Sequence, residues 1–282
     1  MSPIEEAGLT ALREIRRNLR STKGIAMFAL FFLGGAVPSV IQVLLQRSAD
    51  GRRFAELPDD LKREAFQVLL ERLTYDPATA AHLSHCPPAL FLILYKGTIL
   101  FVPLLILLVG FEQIAGDIQH RGIRYLAGRA RRSSIVTGKA LGTWAVIAVM
   151  VLVLHLTVWI SMLVFGTDRI GPILAWGPRL WLFSSVYAAA WVGVSALVSS
   201  FFRTPIVSLF VGSAVFFGLW ITHKIFNFVD ALHGATWAYP FAYVDLLESP
   251  EPLRVLGGVA ALVAWGAVMV LGAAAVMNRR DI

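Results

Sequence analysis

The chain is poor in the features that soluble domains and enzymes are built from. Only 15% of its 282 residues are charged, whereas a soluble domain carries about 25%. Its one cysteine, Cys86, excludes an internal disulfide and leaves the redox compartment unread. There is no G-x-x-x-x-G-K-[ST] stretch. Gly138-Lys139 lacks both the upstream glycine and the following hydroxyl residue, so the chain is not expected to bind nucleotide by itself. Gly193-Val194-Ser195-Ala196 could offer a serine nucleophile, but the last apolar stretch has no histidine to act as its base. Glu5-Glu6 precedes the first apolar run and cannot build an intramembrane metal site. No enzyme is read here.

Apolar sequence is what the chain has in abundance. Hydrophobic residues make up 57% of it, and the mean hydropathy is +0.70. Stretches without Asp, Glu, Lys or Arg run over Gly24–Gln46, Gly97–Phe111, Ala140–Thr167, Leu180–Phe202, Thr204–His223 and Val255–Asn278. The second is extended upstream by Leu83–Tyr95, with Lys96 as its only charge. A helix needs about 20 mostly apolar residues to cross a bilayer. The expected fold is therefore an all-α membrane protein with six transmembrane helices. Its expected plan is an interface helix over 1–23 and a transmembrane domain over 24–282. The first run is longer than the core of about 7–15 residues typical of a cleavable signal. With both termini in the cytoplasm, the inside segments hold fourteen Lys and Arg residues and the outside segments ten. The inside residues crowd the N-terminal arm and the central loop, as the positive-inside rule requires. Topology explains the net charge of +7, and no nucleic-acid partner is expected.

Residues 8–23 place Leu12, Ile15 and Leu19 at helical spacing, with Arg13, Arg16, Arg17 and Arg20 filling most of the remainder. This pattern predicts an amphipathic helix lying among the lipid headgroups. The segment 47–88 is expected outside. Within it, Leu57–Leu73 reads as a helix with Leu61, Ala65, Val68, Leu69 and Arg72 at helical spacing. His82, His85 and Cys86 could share one face of a helix, and imidazole with thiolate suits zinc or copper. Three such ligands beside Pro87-Pro88 match no standard spacing, so an ordinary membrane-entry segment is the preferred reading. His155, in the third apolar run, is read as a neutral, hydrogen-bonded side chain. The outside segment 227–254 gathers Trp237, Tyr239, Phe241 and Tyr243, as an aromatic belt does.

The most informative stretch is the polar insert 112–139. It carries Arg121, Arg124, Arg129, Arg131, Arg132 and Lys139 against Glu112 and Asp117. Ile114, Ile118 and Ile123 fall on one side of a short amphipathic helix over 112–124, and a second short element is expected over Ser133–Gly138. A solvated loop that binds anionic lipid would explain the charge but not the isoleucines.

Here the sequence resembles the membrane subunits of type-2 ABC transporters. Those subunits show a run similar to E-x-x-x-G-T-I-R-Y-L-L-x-R-x-S-R-x-x-I-x-x-G-K. This chain carries Ile123-Arg124-Tyr125-Leu126, Arg129, Arg132, Ile135 and Gly138-Lys139 in the same order. The family's Gly-Thr pair falls on Arg121-Gly122, a departure. The resemblance extends to the basic helix before span one, the six-span layout and the Arg279-Arg280-Asp281-Ile282 ending. It implies a permease subunit, an exporter, located in the inner or plasma membrane. It also implies a coupling helix over Gln113–Arg124. Glu112, Gln113, Gly116, Asp117, His120, Arg121, Arg124 and Tyr125 are the residues it places against a cytoplasmic ATPase subunit. ATP and Mg would be held by that partner, and a second copy or a homologous permease would complete the transporter. The alternative is a membrane anchor or assembly scaffold that docks a cytoplasmic partner without transport.

Overall fold

The computed structural model describes residues 2–48, 56–73, 77–85, 88–120, 122, 126, 128, 130–165 and 170–280. Helix α1 covers Pro3–Arg20 and opens on a capping box. In that box Ser2 Oγ accepts the Glu5 N–H (3.3 Å), and the Glu5 carboxylate accepts the Ser2 N–H (2.9 Å). Helix α2 (Thr22–Arg47) follows after one extended residue, Ser21, whose hydroxyl accepts the Gly24 N–H at 2.9 Å. A Cβ on Gly24 would collide with the Asn18 carbonyl, so glycine is what allows the sharp elbow between the two helices.

The remaining helices are α3 (Asp59–Leu73), α4 (Pro77–His85), α5 (Ala89–Gly110), α6 (Ala115–Gln119), α7 (Arg132–Phe165), α8 (Ile170–Phe201) and α9 (Pro205–Phe228). A 3₁₀ helix over Asp230–Ala238, α10 (Ala242–Glu248) and α11 (Pro252–Arg279) complete the chain. Among the described residues there is no strand. Six helices, α2, α5, α7, α8, α9 and α11, are long and apolar enough to cross a membrane. Their alternating directions give the bundle two ends. The foot gathers α1, α6 and the start of α7; the head gathers α3, α4, the 3₁₀ helix and α10.

The core is centred on α8, which is the most buried of the six. Gly193 of α8 meets Gly266 of α11, where a Cβ would lie 2.6 Å from the Gly266 carbonyl oxygen. Small residues let backbones approach in this way where lipid supplies no hydrophobic drive. Indole N–H groups bind α7 to α8: Trp144 donates to the Ser185 carbonyl at 2.9 Å and Trp181 to that of Ala148 at 3.0 Å. Phe32, Phe210 and Leu271 face outward, as lipid or a second subunit requires.

One expectation needs correction. Ser133–Gly138 is no separate element; it forms the first turns of α7, which begins at Arg132. No proline interrupts that run, and its small residues pack directly on α1. On α3, Leu61, Val68 and Leu69 are exposed, while Leu70 is buried and Phe66 packs against the core. The helix expected over Leu57–Leu73 is present, and it turns the Phe66/Leu70 stripe inward.

Candidate functional site

The site begins with a contact between small residues. Gly138 and Gly142, one turn apart on α7, face Ala7, Thr10 and Ala11 of α1. A Cβ on Gly138 would strike the Ala7 carbonyl, and one on Gly142 would lie 2.7 Å from Glu14 Cβ and 2.8 Å from the Ala11 carbonyl oxygen. This approach carries Glu14 into the bundle, where only 4% of it is exposed. Lys139, 3% exposed, reaches Asp117 Oδ2 at 2.7 Å and Glu14 Oε2 at 3.5 Å. Arg17 pairs with Glu14 at 2.6 Å and with Asp117 at 3.3 Å. Two carboxylates and two cations from α1, α6 and α7 thus form a closed, charge-balanced junction. Buried charges persist when they are paired and hydrogen-bonded in this way.

Helix α6 is only five residues long, and a helix that short is not stable by itself. Ser199 of α8 fixes its start: the hydroxyl accepts the Ile114 N–H (3.2 Å) and the Ala115 N–H (3.0 Å) and donates to the Phe111 carbonyl (3.0 Å). Thr143 of α7 donates to the buried Gln113 amide oxygen at 3.1 Å. Lys23 donates to the Val109 carbonyl (3.3 Å), lies 3.6 Å from Glu112 and sits over the Phe111 ring at 4.0 Å.

Further ties surround the junction. The Arg131 backbone N–H donates to Glu6 at 3.0 Å and holds that carboxyl below its usual pKa. Arg132 donates to the carbonyls of Met277 (3.1 Å), Asn278 (3.3 Å) and Arg280 (2.8 Å), and Arg280 donates to that of Ser200 at 2.7 Å. These carbonyls lie at the C-terminal ends of α11 and α8, where intrahelical donors run out and cations are favoured. A cleft of about 520 Å³ opens between α1, α6 and the start of α9, lined by Arg17, Lys23, Glu112, Asp117, His120 and Ile206 among others.

The expected site residues divide by position. Glu112 and His120 are exposed, Gly116 and Asp117 line the cleft, and Gln113 is buried. Arg121, Arg124 and Tyr125 lie outside the described residues, so α6 is described only over Ala115–Gln119 of the Gln113–Arg124 stretch. On α1, Arg13, Arg16 and Arg20 are exposed, whereas Arg17 joins the junction. Leu12 and Leu19 are also exposed, leaving an apolar stripe beside the basic face. Sequence reasoning missed Glu14, Thr143, Lys139 as a buried partner, and Ser199. The available signal was the four-residue spacing shared by Ala7/Ala11 and Gly138/Gly142.

Of the metal candidates, His82 meets Trp176 at a tilt with ring centroids 5.8 Å apart, while the His85 side chain and Cys86 lie outside the described residues. Among the described residues no group of three or more potential ligands forms. His155 is buried, with Nδ1 donating to the Val151 carbonyl at 2.9 Å.

A family model described as ABC-2 family transporter protein matches residues 10–244, from within α1 to α10. No curated protein matches the chain.

Proposed function

The chain belongs to the ABC-2 transporter family, and from that premise we propose that this permease subunit is an exporter driven by ATP hydrolysis on a separate cytoplasmic subunit. In this reading the foot is cytoplasmic, both termini lie there, and α6 is the coupling helix. ATP and Mg belong to the partner, and a second copy or a homologous permease completes the transporter. Helix α1 lies at the membrane surface, with Leu12 and Leu19 toward lipid and Arg13, Arg16 and Arg20 toward the headgroups.

The observation that carries this reading is the junction. Helix α6 turns Gln119 and His120 outward, while Asp117 and Ser199 fasten it to α7 and α8. Helix α7 has 34 residues, about 51 Å at 1.5 Å per residue, so a push on α6 reaches the head along a rigid element. Ion pairs on both sides of α6 make α1, α6 and the foot of α7 one moving body. Transitions of this kind amplify small shifts through packed elements. The ties from Arg132 and Arg280 to α11 and α8 favour transmission over a passive anchor.

The test is a pull-down of the tagged chain in detergent, with ATPase activity assayed on whatever subunit co-purifies. A bound ATPase whose hydrolysis depends on this chain, and which Asp117→Ala uncouples, is the expected outcome. A chain that retains no ATPase overturns the reading and leaves the scaffold.

A further inference from the structure

Seven buried side-chain polar atoms without a hydrogen-bond partner among the described residues lie on one seam. They are Tyr95 Oη and Gln113 Nε2, on α5 and just beyond it; Tyr187 Oη, Trp191 Nε1 and Ser195 Oγ on α8; and Ser208 Oγ and His223 Nδ1 on α9. Tyr187, Trp191 and Ser195 recur every fourth residue on α8 and so form one stripe. Contacts fix where that stripe points. A Cβ on Gly110 of α5 would collide with Ser195 Oγ, and the Trp191 ring meets Phe216 of α9 with centroids 5.2 Å apart. Ser208, Gly212 and Phe216 share a face of α9 at the same spacing, and Gly212 packs on Leu107 of α5. The seam therefore runs between α5, α8 and α9, from Gln113 at the foot to Tyr95 and His223 toward the head. The Tyr187 and Trp191 rings meet edge-on with centroids 6.2 Å apart, and their polar atoms fall short of hydrogen-bond geometry.

Buried polar groups in native proteins are hydrogen-bonded with few exceptions, and ordered water counts as a partner. Seven exceptions along one three-helix interface call for a common cause. Generic serine behaviour does not supply it. Ser184 and Ser185, on the same helix, bond back to the carbonyls of Leu180 and Trp181, as serines in membrane helices usually do, whereas Ser195 and Ser208 do not.

We propose that the seam between α5, α8 and α9 is a hydrated polar passage within one protomer, open to water and to uncharged hydrogen-bonding solutes. The chemistry of the lining sets this class. Phenol, indole, hydroxyl, carboxamide and imidazole groups offer neutral donors and acceptors, and the aromatic rings of Trp191, Phe216 and Phe241 meet edge-on or tilted along one side. Lys96 and Glu248, paired at the head, lie beside its outer end, with Asp245 and Arg179 also near Tyr95. Nothing inside the seam would compensate a bare ion. The proposal rests on the transporter reading for its purpose, but its test does not require the ATPase.

The test uses the full chain in nanodiscs. Radiolytic hydroxyl radicals oxidise side chains next to bound water, so native Trp191, fully buried, is compared with Trp144 and Trp181, whose N–H groups are already bonded. Trp191 is expected to oxidise at least tenfold faster than either. In a Cys86→Ser background, Ser195→Cys and Ser208→Cys are then exposed to the neutral reagent 2-hydroxyethyl methanethiosulfonate, with Ser185→Cys as the control on another face of α8. Labelling at least tenfold faster than the control is expected at both seam positions. Equal oxidation of the three tryptophans overturns the proposal. Fast oxidation of Trp191 without labelling of either seam cysteine means static buried water and overturns the passage as well. In either event the coupling reading still stands or falls on the pull-down.

Discussion

The two ends of the bundle handle buried charge in different ways. At the foot, Glu14, Arg17, Asp117 and Lys139 share one another, and the Arg17 and Asp117 side chains keep 43% and 20% of their surface exposed. At the head, Lys96 of α5 grips both oxygens of Glu248 at 2.5 Å, and the Glu248 side chain is 1% exposed. Burial pushes the Glu248 carboxyl above its usual pKa, with Lys96 pulling the other way. The foot can lose one contact and keep the rest, whereas the head holds or releases as a unit. A buried pair gains little over well-packed apolar side chains, yet it is costly to break from one side. Under the proposed coupling, graded contacts suit a surface that receives a push.

Single substitutions should separate the two most sharply. Lys96→Met leaves Glu248 buried and unpaired, so thermal unfolding of the purified chain should report a loss of about 3–5 kcal/mol. The double variant Lys96→Met/Glu248→Leu should recover most of that loss. If it is as unstable as the single variant, the head does not behave as an isolated pair. Lys139→Met at the foot should cost less, about 1–3 kcal/mol, because Arg17 remains beside both carboxylates. A loss as large as that of Lys96→Met would erase the contrast.

Smaller effects sharpen it further. Ser199→Ala removes the acceptor for two N–H groups at the start of α6 and should cost about 1–2 kcal/mol. Amide exchange at Ile114 and Ala115 should quicken while α7 is unaffected. The smallest effect is one of pH. The Glu6 carboxyl is held below 4.5 by the Arg131 N–H, so this tie is fully present above pH 4.5 and is lost as pH falls through the lowered folded value. Amide exchange at Arg131 should rise over that acid range in wild type and be fast at all pH values in Glu6→Gln.

The same contrast explains what could be read from the sequence. The six spans were legible because hydropathy is local and bilayer thickness sets the run length. The site of α6 was legible because its acidic residues and isoleucines sit within one polar insert. The pairings were not. Lys139 looked like one more basic loop residue, and Glu14 did not stand out beside the arginines of its helix. Their partnership joins residues 125 apart, and no periodicity records that. Lys96 stood out as the lone charge in its run, but Glu248 lies 152 residues away. On α3, helical spacing marked the helix, but which of its faces is buried, that of Phe66 and Leu70, was not recorded in it.

The central claim is that α1, α6 and the foot of α7 move together when the ATPase closes. It is tested most directly by spin-label distances in the assembled complex, in a Cys86→Ser background, with and without trapped ATP. Labels at Arg16 and Gln119 should keep one distance in both states, while labels at Gln119 and Asp60 should report a change across the bundle. A shift between Arg16 and Gln119 on ATP binding would contradict the account.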